Sequence, residues 1–582
     1  IKNTWKTIKI ILNKNGSPRL PDNFNINNNS VTDTSVIAQK FNEYFVNIGP
    51  TLAEKIPPTS TSFTAYLTGN YPNSFMLFDT TPDEVIQVAN QMQSKQSAGF
   101  DDIPLDIMKL SVGYLAKPLT EIINNSFRSG SFPNLLKIAK VCPVYKNGNT
   151  SELTNYRPIS ILPSFSKIFE RLMYNRLTNY LTKNAVISEN QFGFRSNHST
   201  LMAILGVVDK ITTAMDNKQF SVGIFVDLSK TFDTLNHKIL LHKLEHYGIR
   251  GIALKWFESY LCYRMQFVEF NGAKSIHLKI KCGVPQGSIL GPLLFLIYIN
   301  GIAYVSKILH LILFADDTNI FYANDDIVTL ISTLNQQLSL INEWFLANKL
   351  SLNVSKTNFI IFCPRQRKYS LNSYSKVIFN GTAINQVKCT KFLGISIDEH
   401  LCWNHHIHQV ESKLSKCCGI LAKLKYLLPQ RVLLTIYNSL ILPYLNYCPI
   451  IWAGCNSENK LKKILTLQKK AVRSITKSSF TAHASPLFKK LNLLKISDLC
   501  RFQSAVFMYK FSTNQLPSSF NRYFTSNSGI HTYNTRQASN YHLFSVNTSV
   551  RKTSIAASGP KLWNALPDKI KRHLHLHYSN VN

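Results

Sequence analysis

Three aspartates set in apolar runs constrain this chain more than anything else in it. Asp227 closes the apolar run 222–227, inside Val226-Asp227-Leu228-Ser229-Lys230-Thr231-Phe232-Asp233. Asp316 and Asp317 stand between two strand-like runs, 309–315 and 318–322, inside Phe314-Ala315-Asp316-Asp317. Apolar runs on either side of an acidic pair predict a hairpin with the carboxylates at its tip. Asp227 lies far from that pair along the chain, so only a folded sheet can join them. For any one of the three the plain alternative is a strand end or turn, where Asp is common. The ordered set, with Gly283-Val284-Pro285-Gln286-Gly287 between its members, is far less ordinary.

Around these runs the chain alternates strands and helices in mixed order from about 125 to 398. Segment 238–247 is amphipathic, 288–299 is a buried apolar helix, 342–349 is helical and 358–362 is a strand. Such an order predicts an α+β domain with a mainly antiparallel sheet. Residues 1–75 read as a helical, loop-rich lead-in with an Asn-rich loop at 22–30, and 82–92 as a helix with Asp83 and Glu84 in its first turn. Beyond 400 the pattern is helical: Val410, Leu414, Cys417, Leu421, Leu424 and Leu428 recur at spacings of three and four before Pro429. Residues 460–477 form a basic amphipathic stretch, equally readable as a core helix with a wet face or as a helix laid along a nucleic-acid backbone.

At 582 residues the chain is too long for one core. Its net charge of +33 is spread along the sequence and favours a polyanionic partner, nucleic acid before acidic membrane. The 11 cysteines hold no C-x-x-C pair, which fits reduced thiols inside a cell. Cys402 with His405, His406 and His408 lacks the second cysteine that zinc-finger spacing requires. The run 288–299 is shorter than the roughly 20 residues a membrane span needs. The chain begins at Ile1 and reads as a piece of a longer product.

Clustered carboxylates on strand ends are what two-metal nucleotidyl transfer needs, because that chemistry asks for positioning and charge neutralisation. The motifs resemble those of reverse transcriptases: Asp227 with Phe232, then Pro285-Gln286-Gly287, then Phe314-Ala315-Asp316-Asp317. Gln191-Phe192-Gly193-Phe194-Arg195 narrows the resemblance to the non-LTR retrotransposons, LINE-type and jockey-like. So do Phe41-Asn42-Glu43-Tyr44-Phe45, Ser97-Ala98-Gly99-Phe100-Asp101 and the landmark around Trp563. The resemblance implies a right-hand polymerase. Its N-terminal helical extension is 1–125, its fingers and palm 126–398, its helical thumb 399–480 and its C-terminal basic region 481–582.

It implies further that Asp227, Asp316 and Asp317 are catalytic ligands of two Mg²⁺ ions, with Mn²⁺ as a substitute. Lys146, Arg157, Phe232, Gln286, Gly287 and Lys356 would bind the nucleotide, Phe232 by excluding a ribose 2′-hydroxyl. Arg195 and Phe392-Leu393-Gly394 would meet template and primer. The implied partners are an RNA template, a DNA primer or target, and deoxynucleoside triphosphates, with no membrane. An endonuclease is expected on a missing N-terminal segment or another protein. The implied location is intracellular, in nucleus and cytoplasm as a ribonucleoprotein. The alternatives are a decayed or co-opted nucleic-acid-binding protein and a group II intron-type maturase. Thr231 departs from the family's usual Ala.

Overall fold

The structure is a computed structural model that describes residues 21–571, apart from 22, 27, 28, 368, 370–375, 455–457, 532 and 534. The described residues form a mixed α+β fold in which two five-stranded sheets are set among helices. Seven strands carry the account: β1 (Ile138–Tyr145), β2 (Tyr156–Ile161), β3 (Phe220–Val226), β4 (Met265–Phe270), β5 (His310–Phe314), β6 (Asp317–Asn324) and β7 (Asn358–Phe362). In the first sheet β1 pairs antiparallel with β2 and parallel with β4. The second sheet runs from the short strand Asn385–Gln386 through β7, β3 and β6 to β5. Its pairings are antiparallel except where Asn385–Gln386 joins β7.

All seven residues of β3 are buried, because both faces of this central strand are covered. Phe220, Val222, Ile224 and Val226 face a core shared with helices Leu290–Ile299 and Ile327–Ala347. Phe225 faces a second core shared with helix Thr200–Asp216. The strand thus shows no polar–apolar alternation, and each large apolar side chain it buries contributes roughly 1.5–3 kcal/mol. Gly223 lets the Phe321 and Phe362 rings cross the strand, for a Cβ there would sit 2.7 and 2.9 Å from them.

The apolar run 288–299 is a core helix, Leu290–Ile299, with Pro292 in its first turn. Its N-terminus is held by the fully buried Glu170, whose carboxylate accepts the N–H of Ile289 at 2.5 Å and of Leu290 at 3.4 Å. Tyr260 donates to the other oxygen at 3.0 Å. A carboxylate at this helix end meets unpaired N–H groups and the positive end of the dipole.

Two expectations are corrected. The helix expected at 342–349 is the end of a longer one, Ile327–Ala347. Asp326 caps its start by accepting the Thr329 N–H at 2.7 Å, and Leu330, Leu334, Leu338, Ile341 and Phe345 keep one face buried. The expected Asn-rich loop at 22–30 contains a small hairpin, Phe24–Ile26 against Asn29–Val31. Phe24 drives it: the ring is fully buried among Phe41, Tyr156 and Phe270. That cluster docks helix Thr34–Glu54 onto the first sheet. One helix, Leu105–Ser129, runs across the expected junction at 125/126.

Beyond 400 the described chain is mainly helical, apart from a loop-rich stretch between Ser512 and Ser549. Helices Asn404–Leu424, Gln430–Leu440, Glu458–Ile475 and Ile496–Ser512 build the rest of the second core, with Trp403, Trp452 and Trp563 buried in it. The C-terminal part is bolted to helix Thr200–Asp216. Arg551 forms an ion pair with Asp209, and Asp216 accepts the N–H groups of Asn547 and Thr548 at 2.8 and 2.7 Å. No helix among the described residues is long and apolar enough to cross a membrane.

Candidate active site

The antiparallel pairing of β3 with β6 decides where the aspartates meet. Thr318 lies opposite Val226, so the end of β3 and the start of β6 coincide. Asp227 follows the first, and Asp316 and Asp317 lie at the turn between β5 and β6. All three line one cleft of about 620 Å³ with Lys146, Arg157, Lys230, Thr231, Phe232, Gln286, Asn353 and Lys356. Withdrawal from water by the cleft walls comes first, then the charges of Asp316 and Asp227; together they push the Asp317 carboxyl up to about 6. Asp317 therefore stands within the field of the other two carboxylates.

Each aspartate is held by its neighbours. Asn353 donates through Nδ2 to Asp227 Oδ2 at 2.8 Å, and its own N–H reaches the Asp227 carbonyl at 2.9 Å. The Asp227 N–H donates to Thr357 Oγ1 at 3.2 Å. Thr231, which is buried, donates through Oγ1 to Asp316 Oδ2 at 3.4 Å. Behind the turn, the buried Gln191 accepts the N–H of Ala315 at 3.0 Å and of Gly193 at 2.8 Å through Oε1. Phe192 donates its N–H to the Leu313 carbonyl at 2.8 Å, so segment 190–193 lies along β5. A Cβ on Gly193 would sit 2.2 Å from the Ala315 nitrogen, a contact only glycine permits.

The segment after Asp227 cradles Gly283–Gly287. Gly283 and Val284 donate their N–H groups to the carbonyls of Leu235 and Phe232 at 2.8 and 2.9 Å. Gly283 has φ 82°, and a Cβ there would meet the carbonyl oxygens of Phe232 and Asp233 at 2.8 Å. Gln286 Nε2 donates to both oxygens of Asp233, at 2.8 and 2.9 Å. Burial pushes the Asp233 carboxyl up to about 6 against the pull of Gln286 and Lys230. Gly287, with φ 132°, passes against the Ser160 carbonyl, and the Ser160 N–H donates to Gln286 O at 2.8 Å. The Phe232 ring packs on Phe295, with centroids 5.0 Å apart.

Lys146 and Arg157 come from the β1–β2 hairpin, where Arg157 lies opposite Val144. Arg195 and Phe392-Leu393-Gly394 are not among the residues lining the cleft. Arg195 donates through Nη1 to the carbonyls of Ser188 and Gln191 at 2.8 and 3.0 Å, which braces the loop behind β5. Leu393 and Gly394, both at positive φ, make the two-residue turn between paired strands Cys389–Phe392 and Ile395–Asp398. Tyr447 hydrogen-bonds the Leu393 carbonyl. A second cavity, of about 640 Å³, contains Arg365, His400 and Lys460 but no carboxylate among its lining residues.

Sequence reasoning passed over Lys230, Gln191, Asp233 and the clasp of Asn353 on Asp227. The side-chain types gave a signal only for Lys230, a cation three residues after a candidate ligand.

Residues 144–397 match the family model for reverse transcriptase (RNA-dependent DNA polymerase). The chain carries a reverse transcriptase domain. The match begins in β1 and ends in the strand Ile395–Asp398, so every cleft residue named above falls inside this domain. Over 471 residues the chain is 28% identical to an RNA-directed DNA polymerase from mobile element jockey of Drosophila melanogaster, covering 78% of this chain and 50% of that protein. It is 28% identical over 454 residues to a probable RNA-directed DNA polymerase from transposon X-element of the same fly, covering 76% and 49%. A probable RNA-directed DNA polymerase from transposon BS shows 28% identity over 441 residues, covering 72% and 47%. The chain spans about half the length of these curated relatives.

Among the described residues no three His, Cys, Asp or Glu side chains stand close enough to cage an ion by themselves. Three mutually repelling carboxylates do fit ions that arrive with phosphate oxygens already attached, as Mg²⁺ commonly does.

Proposed function

We propose that this chain is the RNA-directed DNA polymerase of a non-LTR retrotransposon, extending a DNA 3′-end on an RNA template. One observation carries the reading: three carboxylates and a set of basic side chains converge on a single cleft inside the reverse transcriptase domain. The first sheet with its tip residues Lys146 and Arg157 corresponds to fingers, the second sheet to a palm, and the helices from Asn404 to a thumb. In this proposal the fingers and palm span 126–398, the thumb 399–480 and the C-terminal region 481–582.

Asp227, Asp316 and Asp317 would hold two Mg²⁺ ions, whose charge would serve to activate a primer 3′-hydroxyl and to stabilise leaving pyrophosphate. The protein's own groups do the rest. Asn353 fixes one Asp227 oxygen and leaves the other for a cation. Thr231 does the same for Asp316. Lys146, Arg157 and Lys356 draw the triphosphate in, the guanidinium fork by paired hydrogen bonds. Phe232, backed by Phe295, lies where a 2′-hydroxyl would need room. Gln286 would close the wall beside the base, with Gly287 turning the loop behind it against Ser160. The turn at Leu393 and Gly394 would grip the primer, and the basic thumb helix the duplex backbone. A nuclease on another segment or another protein would supply the nick.

Primer extension on poly(rA) with an oligo(dT) primer, Mg²⁺ and deoxythymidine triphosphate tests this against Asp316→Ala and Asp227→Ala. Synthesis by the parent is expected, with a loss of about a thousandfold or more in either variant and template binding retained. Template binding without synthesis by the parent would instead identify a nucleic-acid-binding protein.

A further inference from the structure

Lys230 sits in the cleft in a backbone state that lysine rarely adopts. Its φ and ψ are 48° and 44°, the left-handed region, three residues after Asp227. For a residue with a Cβ this backbone is strained, and such strain gathers where function requires a fixed side chain. Neighbours hold the conformation: the Asp233 N–H donates to the Lys230 carbonyl at 2.8 Å, and the Ser229 N–H donates to Ser351 O at 2.9 Å. The side chain crosses to the other sheet, where Nζ donates to the Tyr156 carbonyl at 3.4 Å.

Three cations, Lys146, Arg157 and Lys356, and one carboxylate, Asp233, act on its ammonium. Burial, and the charges of Lys146, Arg157 and Lys356, depress the ammonium below the usual lysine range, while Asp233 pulls the other way. Among the described residues none of these four cations has a carboxylate within ion-pair distance. Asp233 already accepts both of its hydrogen bonds from Gln286. Lys230 is left with one long bond to a neutral carbonyl, in a cleft whose remaining basic groups repel it. A polyanion resolves that arrangement, because a charge-assisted bond to phosphate oxygen is roughly twice as strong as one to a neutral acceptor.

We propose that Lys230 is a triphosphate-binding residue, whose ammonium exchanges the Tyr156 carbonyl for a non-bridging phosphate oxygen of the incoming nucleotide. The proposal rests on the polymerase reading above. Because Lys230 shares a turn with Asp227, the phosphate it holds is registered directly against the carboxylates. The exchange also frees the β2 backbone from the palm turn at the moment the nucleotide bridges them.

Lys230→Gly separates function from folding, since glycine adopts this backbone without strain. The variant is expected to melt at or above the parent's temperature. Its KM for deoxythymidine triphosphate should rise about tenfold with kcat within threefold, and the inhibition constant for pyrophosphate should rise in parallel. Lys230→Arg should recover part of the loss. Unchanged KM and pyrophosphate inhibition in the glycine variant would overturn the assignment, as would a KM rise matched by a fall in melting temperature. Titration of a non-hydrolysable deoxythymidine triphosphate into the complex with a dideoxy-terminated primer–template reads the same contact without catalysis. Should the parent synthesise nothing, the polymerase reading falls. Lys230 is then judged by this titration alone, with tenfold weaker binding in the glycine variant sustaining it and equal binding refuting it.

Discussion

Phe232 and Asp233 are adjacent, yet only Phe232 lines the cleft, while Asp233 is buried behind it against Gln286. The Phe232 ring leans on Phe295, and in the proposed role it meets the incoming sugar. Shortening it to Ala leaves room for a 2′-hydroxyl, so the incorporation ratio of ribo- to deoxynucleotides should rise at least about tenfold in single-nucleotide extension, with little change for deoxynucleotides. An unchanged ratio would remove Phe232 from the role of steric gate. Asp233 carries a folding signature. Its carboxyl is raised from 3.8 to about 6 in the folded state, so its contribution is fully present below pH 3.8 and is lost as pH rises through about 6. The loss is about 3 kcal/mol at neutral pH. Asp233→Asn removes this dependence. Relative to the parent, the variant should gain stability between pH 4 and 7, and melting curves at both ends of that window check the sign.

At the scale of elements, the aspartate turn is set by a segment outside its own hairpin. Gln191 accepts the Ala315 N–H, and Gly193 lies against that nitrogen with no room for a methyl group. Gly193→Ala must therefore shift the Asp316 turn. Synthesis should fall by at least about tenfold, given how steeply catalysis depends on sub-ångström placement, while primer–template binding holds. Full activity in that variant would show that the turn tolerates movement. The Gly283–Gly287 loop is positioned in the same indirect way. Gly283 and Val284 are tied to Leu235 and Phe232, Gln286 is tied to Asp233, and the loop then leads into the helix capped by the buried Glu170.

For the whole molecule, the +33 charge bears on the proposed binding of a phosphate backbone. The basic helix Glu458–Ile475 buries Leu461, Ile464, Val472 and Ile475 and leaves Lys462, Lys463 and Lys470 exposed. It is therefore both a core helix and a charged surface, and the two readings of its sequence are compatible. Binding of a primed RNA template should weaken about a thousandfold or more between 50 and 200 mM salt, as expected when several phosphates are neutralised. A flat salt response in a filter-binding or anisotropy assay would count against backbone contacts as the main source of affinity. The ties of Asp209 and Asp216 to residues 547–551 make the C-terminal part a brace on helix Thr200–Asp216, which packs on the second sheet.

Local pattern alone carried much of this. The apolar runs around Asp227 and Asp316 announced strands, the apolar stretch 288–299 a core helix, and the three-and-four spacing beyond 400 a helical region, because burial imposes a periodicity that sequence records directly. Motif chemistry likewise picked out Lys146, Arg157, Phe232, Gln286 and Lys356, all of which line the one cleft. What the sequence could not show depends on register and on contacts between distant segments. Nothing local to Asn353 says that it clasps Asp227, nor to Gln191 that it sets the turn before Asp316. The hairpin of Phe24 was hidden because its strands are short and polar, and one ring buried by three distant aromatics stabilises it. Lys230 was visible as a lysine but not as a strained one, since the left-handed backbone that aims it is imposed by Asp233 and Ser351. Sequence determined which chemistry is present; the pairing of β3 with β6 decided that it meets in one place.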